Sequence, residues 1–161
     1  MTDTAPRELP LQELAEVIIR FAGDSGDGMQ LTGDQFTSIS AALGNDLATL
    51  PEFPAEIRAP QGTLAGVSAF QVRISDFAIT TPGDAPTVLV AMNPAALKAQ
   101  LHNVVQGGAI IINSDAFTER NLEKAGYESN PLEDGSLDGY RCYPVAMSQI
   151  TRDAVAVHGV K

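Results

Sequence analysis

The chain alternates between unbroken apolar runs and stretches with helical spacing. Val17-Ile18-Ile19-Arg20-Phe21-Ala22 is nearly all apolar, the pattern of a strand buried on both faces of a parallel sheet. Gly23-Asp24-Ser25-Gly26-Asp27-Gly28 follows. Met29, Gly33, Phe36, Ser40 and Leu43 then recur at helical spacing, up to a stop signal at Gly44-Asn45. Apart from Met29, Phe36 and Leu43 this face is small, so the helix is expected to pack closely on the sheet. Leu47 to Leu50 predicts a short second strand. Pro51, Pro54 and Pro60 exclude regular helix beyond it. Ala55-Glu56-Ile57-Arg58 reads as extended chain and Gly62 to Gly66 as a loop or turn. Phe70, Val72 and Ile74 alternate with Gln71, Arg73 and Ser75, the pattern of a half-buried strand.

The second half repeats the strand and helix alternation. Thr87 to Met92 is a further apolar strand, and Asn93-Pro94 a helix start in which Asn caps and Pro takes the first helical position. Leu97, Leu101, Val104 and Val105 form the apolar face of that helix, and Gly107-Gly108 ends it. Ala109 to Asn113 predicts another buried strand, Thr118 to Ala125 a short helix stopped by Gly126, and Ser129 to Gly139 a loop. Tyr140 to Ala146 predicts a strand, with Ser148 capping a last helix that holds Ile150, Ala154 and Val157. The order predicts an α/β fold: a mostly parallel, Rossmann-like three-layer sandwich with a β excursion after the second strand.

At 161 residues the chain is one domain by length. Met1 to Pro10 is expected to be a mobile arm and residues 11–161 a single α/β domain. The stop at Lys161, just as the last helix fades, reads as a truncated C-terminus. Twenty acidic residues against ten basic ones give a net charge of -10, which argues against nucleic acid and anionic membranes as partners. One cysteine, Cys142, excludes an intrachain disulfide and an all-cysteine metal or iron–sulfur site. The two histidines, His102 and His158, lack zinc-motif spacing. No apolar stretch spans a bilayer and the N-terminus has no signal-peptide core, so the cytoplasm is the expected location.

The candidate chemistry is concentrated in two places. Gly23, Gly26 and Gly28 fit either close approach to a cofactor or a tight strand-to-helix turn; their G-x-x-G-x-G spacing differs from the dinucleotide pattern. Ser25 suits an anion contact or a helix cap. Asp24 and Asp27 suit the helix dipole and oppose a bare phosphate. Glu56 and Arg58, flanking Ile57, are expected on one side of extended chain. Arg58 suits a bidentate carboxylate or phosphate contact, or an interface salt bridge. Gly62, Thr63 and Ser68 offer donors to a ligand, or belong to a segment that orders against another subunit. Cys142 reads as a half-buried or core residue, and no nucleophile–base constellation stands out.

Two blocks together, Phe21 to Gly33 and Ala55 to Gln71, resemble the gamma domain at the N-terminus of the alpha subunit in 2-oxoacid:ferredoxin oxidoreductases, with the 2-oxoglutarate type the closest match. Val88 to Asn93 is similar to the family's buried strand and turn, and the resemblance spans roughly residues 15–160. It implies membership of an enzyme that decarboxylates a 2-oxoacid on thiamine diphosphate, passes electrons through iron–sulfur clusters to ferredoxin and releases an acyl-coenzyme A. The gamma domain is then expected to pack beside a thiamine-binding alpha domain and a beta subunit and to help form the coenzyme A side of the site. Thiamine diphosphate and clusters would be held by those other parts, and the isolated domain is not expected to be active. On this reading the residues placed toward a cofactor are Gly23, Ser25, Gly26, Gly28, Arg58, Gly62, Thr63 and Ser68, with none assigned to catalysis or metal. The alternative is a non-enzymatic α/β module that binds a nucleotide or a protein.

Overall fold

The computed structural model describes residues 13–56 and 58–157; the predicted arm Met1 to Pro10, Ile57 and His158 lie outside the described residues. The strands are β1 (Glu16–Asp24), β2 (Asp46–Glu52), β3 (Val67–Ser75), β4 (Val88–Ala91), β5 (Ala109–Asn113) and β6 (Arg141–Val145). The helices are α1 (Met29–Ala42), α2 (Pro94–Gln100), α3 (Glu119–Lys124) and α4 (Met147–Val157). The six strands form one sheet in the order β2-β3-β1-β4-β5-β6. β3 runs antiparallel to both of its neighbours, while β1, β4, β5 and β6 are parallel. The expected α/β architecture, with its β excursion after the second strand, is therefore the one adopted.

Alternation along the strands divides the core between the two faces of the sheet. Phe21, Phe70 and Val72 pack with Met29 and the half-buried Phe36 of α1. Ala22, Ala69, Leu89, Ala91, Ile110 and Ile112 pack with Ala95, Ala96 and Leu97 of α2. Small residues set the approach of α1: a Cβ built on Gly33 would lie 2.1 Å from Cδ1 of Phe70. Asn93 caps α2 as its sequence requires, its side chain accepting from the Ala96 amide at 2.8 Å. Thr118 caps α3.

Several expectations are corrected. β3 is not half-buried: it lies between β2 and β1 and is covered on both sides, with Gln71 fully buried. Gln71 tolerates this because Nε2 donates to the carbonyls of Pro82 (2.9 Å) and Gly83 (2.8 Å), while Oε1 accepts from Arg20 Nε at 3.0 Å. The segment around Glu56 and Arg58 is a turn, closed by the Ala59 amide donating to Glu56 O at 3.2 Å, so the side alternation of extended chain does not apply there. Leu43 caps α1 but is 77% exposed and does not join its packed face. α2 ends at Gln100 and continues as a 3₁₀ turn, Leu101–Asn103, so Val104 and Val105 enter the connection to β5 rather than the helix. Ser148 lies inside the first turn of α4, and the Gln149 amide is instead capped by the Asp115 carboxylate at 2.8 Å.

Candidate functional site

β1 is the strand from which the chain departs in two directions. It leads through α1 to β2 on one side, whereas its parallel neighbour β4 leads through α2 to β5 on the other. Crevices at the carboxyl ends of strands beside such a reversal are the usual ligand sites of open α/β sheets. A cavity of about 560 Å³ opens here, at the ends of β1, β4 and β5. Asp24, Asn93 and Asn113 line it from the strand ends, Gln61 and Gly62 from the loop before β3, Arg120 and Lys124 from α3, and Ser148 from α4.

The glycine loop is a wall of this crevice. Gly28 caps α1 with φ 75°, a left-handed conformation open to glycine at little cost, and no side chain caps the helix there. Asp27 turns back to accept from the Asp24 amide at 2.9 Å. The Ser25 amide donates to Gly66 O at 3.1 Å, and the Gly62 amide donates to the Asp24 carboxylate at 3.0 Å. These two bonds tie the glycine loop to the segment before β3. The two blocks that carry the family resemblance are thus one structural unit.

The eight residues placed toward a cofactor are distributed unevenly. Gly62, at φ 83°, lines the main crevice. Ser25 and Gly26 line a smaller adjoining cavity of about 270 Å³ with Asp24, Ala59, Gln61 and Gly66. Gly23 is buried beneath the loop, where a Cβ would lie 2.9 Å from Asp27 Oδ2 and 3.2 Å from Met92 Cβ, so a side chain there would crowd both neighbours. Thr63 Oγ1 donates to Pro60 O at 2.7 Å, and Arg58 is exposed on its turn. Ser68 is buried in β3, with Oγ donating to Glu52 O at 3.1 Å and accepting from Gln30 Nε2 at 3.2 Å. The sequence reading did not name Asn113, Arg120 or Lys124 for this site. The available signal was the position of Asn113 at the end of a buried strand, where polar residues face the switch-point crevice.

The crevice holds charges of both signs. Asp24 is 6% exposed, and this burial is the largest influence on its carboxyl, raising its pKa above the ordinary 3.8. The Gly62 amide pulls it down, the nearby Asp27 adds to the rise, and Asn93 and Lys124 oppose it. An acid whose pKa is raised by folding stabilises the fold below its unfolded pKa, and that contribution disappears as pH climbs through the folded value. At neutral pH the ionised Asp24 therefore weakens the fold relative to a neutral isostere. Asp24→Asn, which keeps an oxygen for the Gly62 amide, is expected to raise the denaturation midpoint at pH 7, with the gain shrinking as pH falls toward about 4. A gain independent of pH would rule out Asp24 ionisation as its source. Burial likewise pushes the half-buried Cys142 thiol up, away from the thiolate that nucleophilic chemistry needs. Among the described residues no three His, Cys, Asp or Glu side chains converge, and no helix is long and apolar enough to cross a membrane.

Comparisons with known proteins agree with this architecture. The pyruvate ferredoxin/flavodoxin oxidoreductase family matches residues 18–161. The chain is 62% identical over 148 residues to the 2-oxoglutarate oxidoreductase subunit KorA of Mycobacterium tuberculosis, covering 92% of this chain and 23% of that protein. It is 29% identical over 113 residues to the ketoisovalerate oxidoreductase subunit VorA of Methanothermobacter thermautotrophicus, covering 70% of this chain and 22% of that subunit. Among solved structures, the 2-oxoglutarate:ferredoxin oxidoreductase of Magnetococcus marinus, with 2-oxoglutarate, coenzyme A and succinyl-CoA bound, aligns with a TM-score of 0.65 and 27% identity, over 88% of this chain and 22% of that one. The chain spans about a quarter of the length of these relatives. With the glycine loop and the segment before β3 joined beside a switch-point crevice, and the family match running almost the full length, this chain belongs to the pyruvate ferredoxin/flavodoxin oxidoreductase family, as a gamma-type domain of the 2-oxoacid:ferredoxin oxidoreductases.

Proposed function

We propose that this domain works within an enzyme that oxidatively decarboxylates 2-oxoglutarate to an acyl-coenzyme A and reduces ferredoxin, and that it forms part of the coenzyme A side of the active site and of the subunit interface. The observation that carries this reading is the 62% identity to a 2-oxoglutarate oxidoreductase subunit. The likeness to a structure of that activity with coenzyme A bound supports it. Thiamine diphosphate and iron–sulfur clusters are assigned to a thiamine-binding alpha domain and a beta subunit. Such a division of labour suits a chain whose sole cysteine has a raised pKa.

Exposed apolar side chains support the interface role. Leu31 and Ile39 on α1 and Phe53 beyond β2 are open to solvent in this chain alone, and surfaces of this kind are usually covered in an assembly. Arg58, exposed on the turn beside the glycine loop, is the proposed contact for a coenzyme A phosphate. In the intact enzyme, Arg58→Ala is expected to raise the Michaelis constant for coenzyme A about tenfold with unchanged folding, the loss of one charge-assisted hydrogen bond. An unchanged constant would remove Arg58 from the ligand site. Turnover of 2-oxoglutarate in preference to pyruvate by the purified assembly tests the substrate. Stabilisation by NAD or ATP, with no response to coenzyme A, would instead favour the non-enzymatic module.

A further inference from the structure

Within the run Val17 to Ala22 of β1, Arg20 is the only charged residue, and it is 8% exposed. A buried guanidinium is costly unless its N–H groups and its charge are both met. Two amides hold this one: Nε donates to Gln71 Oε1 at 3.0 Å and Nη1 to Gln100 Oε1 at 2.6 Å. Gln71 and Gln100 are themselves buried, so the guanidinium is fixed along one edge. The remaining nitrogen, Nη2, has no hydrogen bond among the described residues. It is nevertheless not enclosed, because Asn113 Oδ1 is the only fully enclosed polar side-chain atom left without a partner among those residues. An arginine held at two nitrogens and open at the third is oriented for an acceptor that comes from outside the domain.

Arg20 lines a cavity of about 460 Å³. Leu50 and Glu52 of β2 form one side of it, and Ala99 and Gln100 of α2, with His102 of the following 3₁₀ turn, form the other. The sheet register explains why these residues meet. Leu50 stands opposite Gln71 and Gln71 opposite Arg20, so all three share the face on which α2 packs. Glu52 is the only acidic group on the lining. Its side chain is 47% exposed, and its Oε2 lies 3.4 Å from Nη1 without a hydrogen bond to the guanidinium. That oxygen accepts instead from Gln100 Nε2 at 3.2 Å. An ion pair this open to water is weak, so the charge of Arg20 is only loosely met within the domain.

We propose that this cavity binds a small carboxylate, with Arg20 Nη2 as the donor that receives it. A carboxylate matches a guanidinium in shape and carries a single charge. A phosphate carries nearly two charges at neutral pH and would sit against Glu52, which repels it. The cavity volume lies within the range of small-molecule sites. Glu52 competes with the ligand for the same guanidinium, so its charge sets the affinity: a neutral side chain in its place leaves Arg20 without any counter-charge in the domain and makes the site bind more tightly.

The test is amide hydrogen exchange in the intact enzyme, read by mass spectrometry on peptides from β2 and from the 3₁₀ turn Leu101–Asn103. Propionate is titrated at constant ionic strength, with propionamide as its uncharged analogue and inorganic phosphate as the rival anion. At ten times its dissociation constant, propionate is expected to slow exchange in both peptides about tenfold, wherever local opening releases it. Propionamide is expected to do nothing. Glu52→Gln, which keeps an oxygen for Gln100 Nε2, is expected to tighten propionate binding about fivefold. Arg20→Met is expected to weaken it by about tenfold or more. Equal protection by propionamide or by phosphate overturns the proposal, as does retained binding in Arg20→Met. If both peptides exchange slowly without propionate and its addition changes nothing, another part of the enzyme fills the cavity and the proposal falls. Should Arg20→Met fail to fold, Glu52→Gln decides alone: tighter binding supports the site, and unchanged or weaker binding refutes it.

Discussion

Gly33→Ala is expected to destabilise the chain by about 2 kcal/mol, although alanine is the better helix former by about 1 kcal/mol. The new Cβ would lie 2.1, 2.3 and 2.7 Å from Cδ1, Cγ and Cε1 of Phe70. Phe70 cannot withdraw cheaply: it is buried in β3, which is paired on both sides. α1 must therefore lift from the sheet or the ring must leave its rotamer, and such overpacking costs about 1–3 kcal/mol. Chemical denaturation of parent, Gly33→Ala, Phe70→Leu and the double variant measures the effect. The double variant is expected to lose less than the sum of the single losses, because the smaller leucine makes room for the methyl group. A gain of stability in Gly33→Ala would mean that α1 does not rest on Phe70.

Gln71→Leu is expected to cost about 3 kcal/mol, or about 6–12 °C in Tm for a chain of this size. The substitution adds apolar character at a position with no exposed surface, and on hydrophobicity alone it should stabilise. It removes three hydrogen bonds at once. The carbonyls of Pro82 and Gly83 lose their donor, and Arg20 loses the acceptor of its Nε. Arg20 is itself buried, and its remaining contacts are Gln100 Oε1 at 2.6 Å and the half-exposed Glu52 carboxylate at 3.4 Å. A buried charge short of partners is far more costly than an apolar replacement of both groups. Arg20→Met in the Gln71→Leu background is therefore expected to recover part of the loss, read as a favourable coupling in a double-mutant cycle. A Gln71→Leu cost below about 0.5 kcal/mol would show that these bonds do not hold the site together.

These two positions also separate what is readable along the chain from what is not. Gly33 belongs to a stripe whose small residues by themselves imply close packing, because helical spacing is local. Gln71 falls at a polar position in an alternating run, and alternation reads as one wet face. The chain instead seats this strand between β2 and β1, and hydrogen bonds from residues 51, 11 and 12 positions away replace water. Nothing in the local pattern specifies partners at such a distance. The cap of α4 differs for the same reason. Ser148 has the right chemistry and nearly the right place, but the carboxylate of Asp115, 34 residues before the Gln149 amide it caps, reaches the helix first.

The candidate site divides in a similar way. Its glycine loop and the segment before β3 were legible, because tight turns depend on residue type and spacing within a few positions. Asn113, Arg120 and Lys124 were not, since their common crevice exists only once β4 and β5 have been laid down beside β1. By itself the sequence determined the alternation of strands and helices, the capped start of α2, and the family to which the two blocks point. All of these follow from propensities and spacings along a short stretch of chain. Only the tertiary structure decided which strand is central, which polar side chains are buried, and which residues share the crevice, because those depend on non-local pairing and on the reversal of strand order at β1.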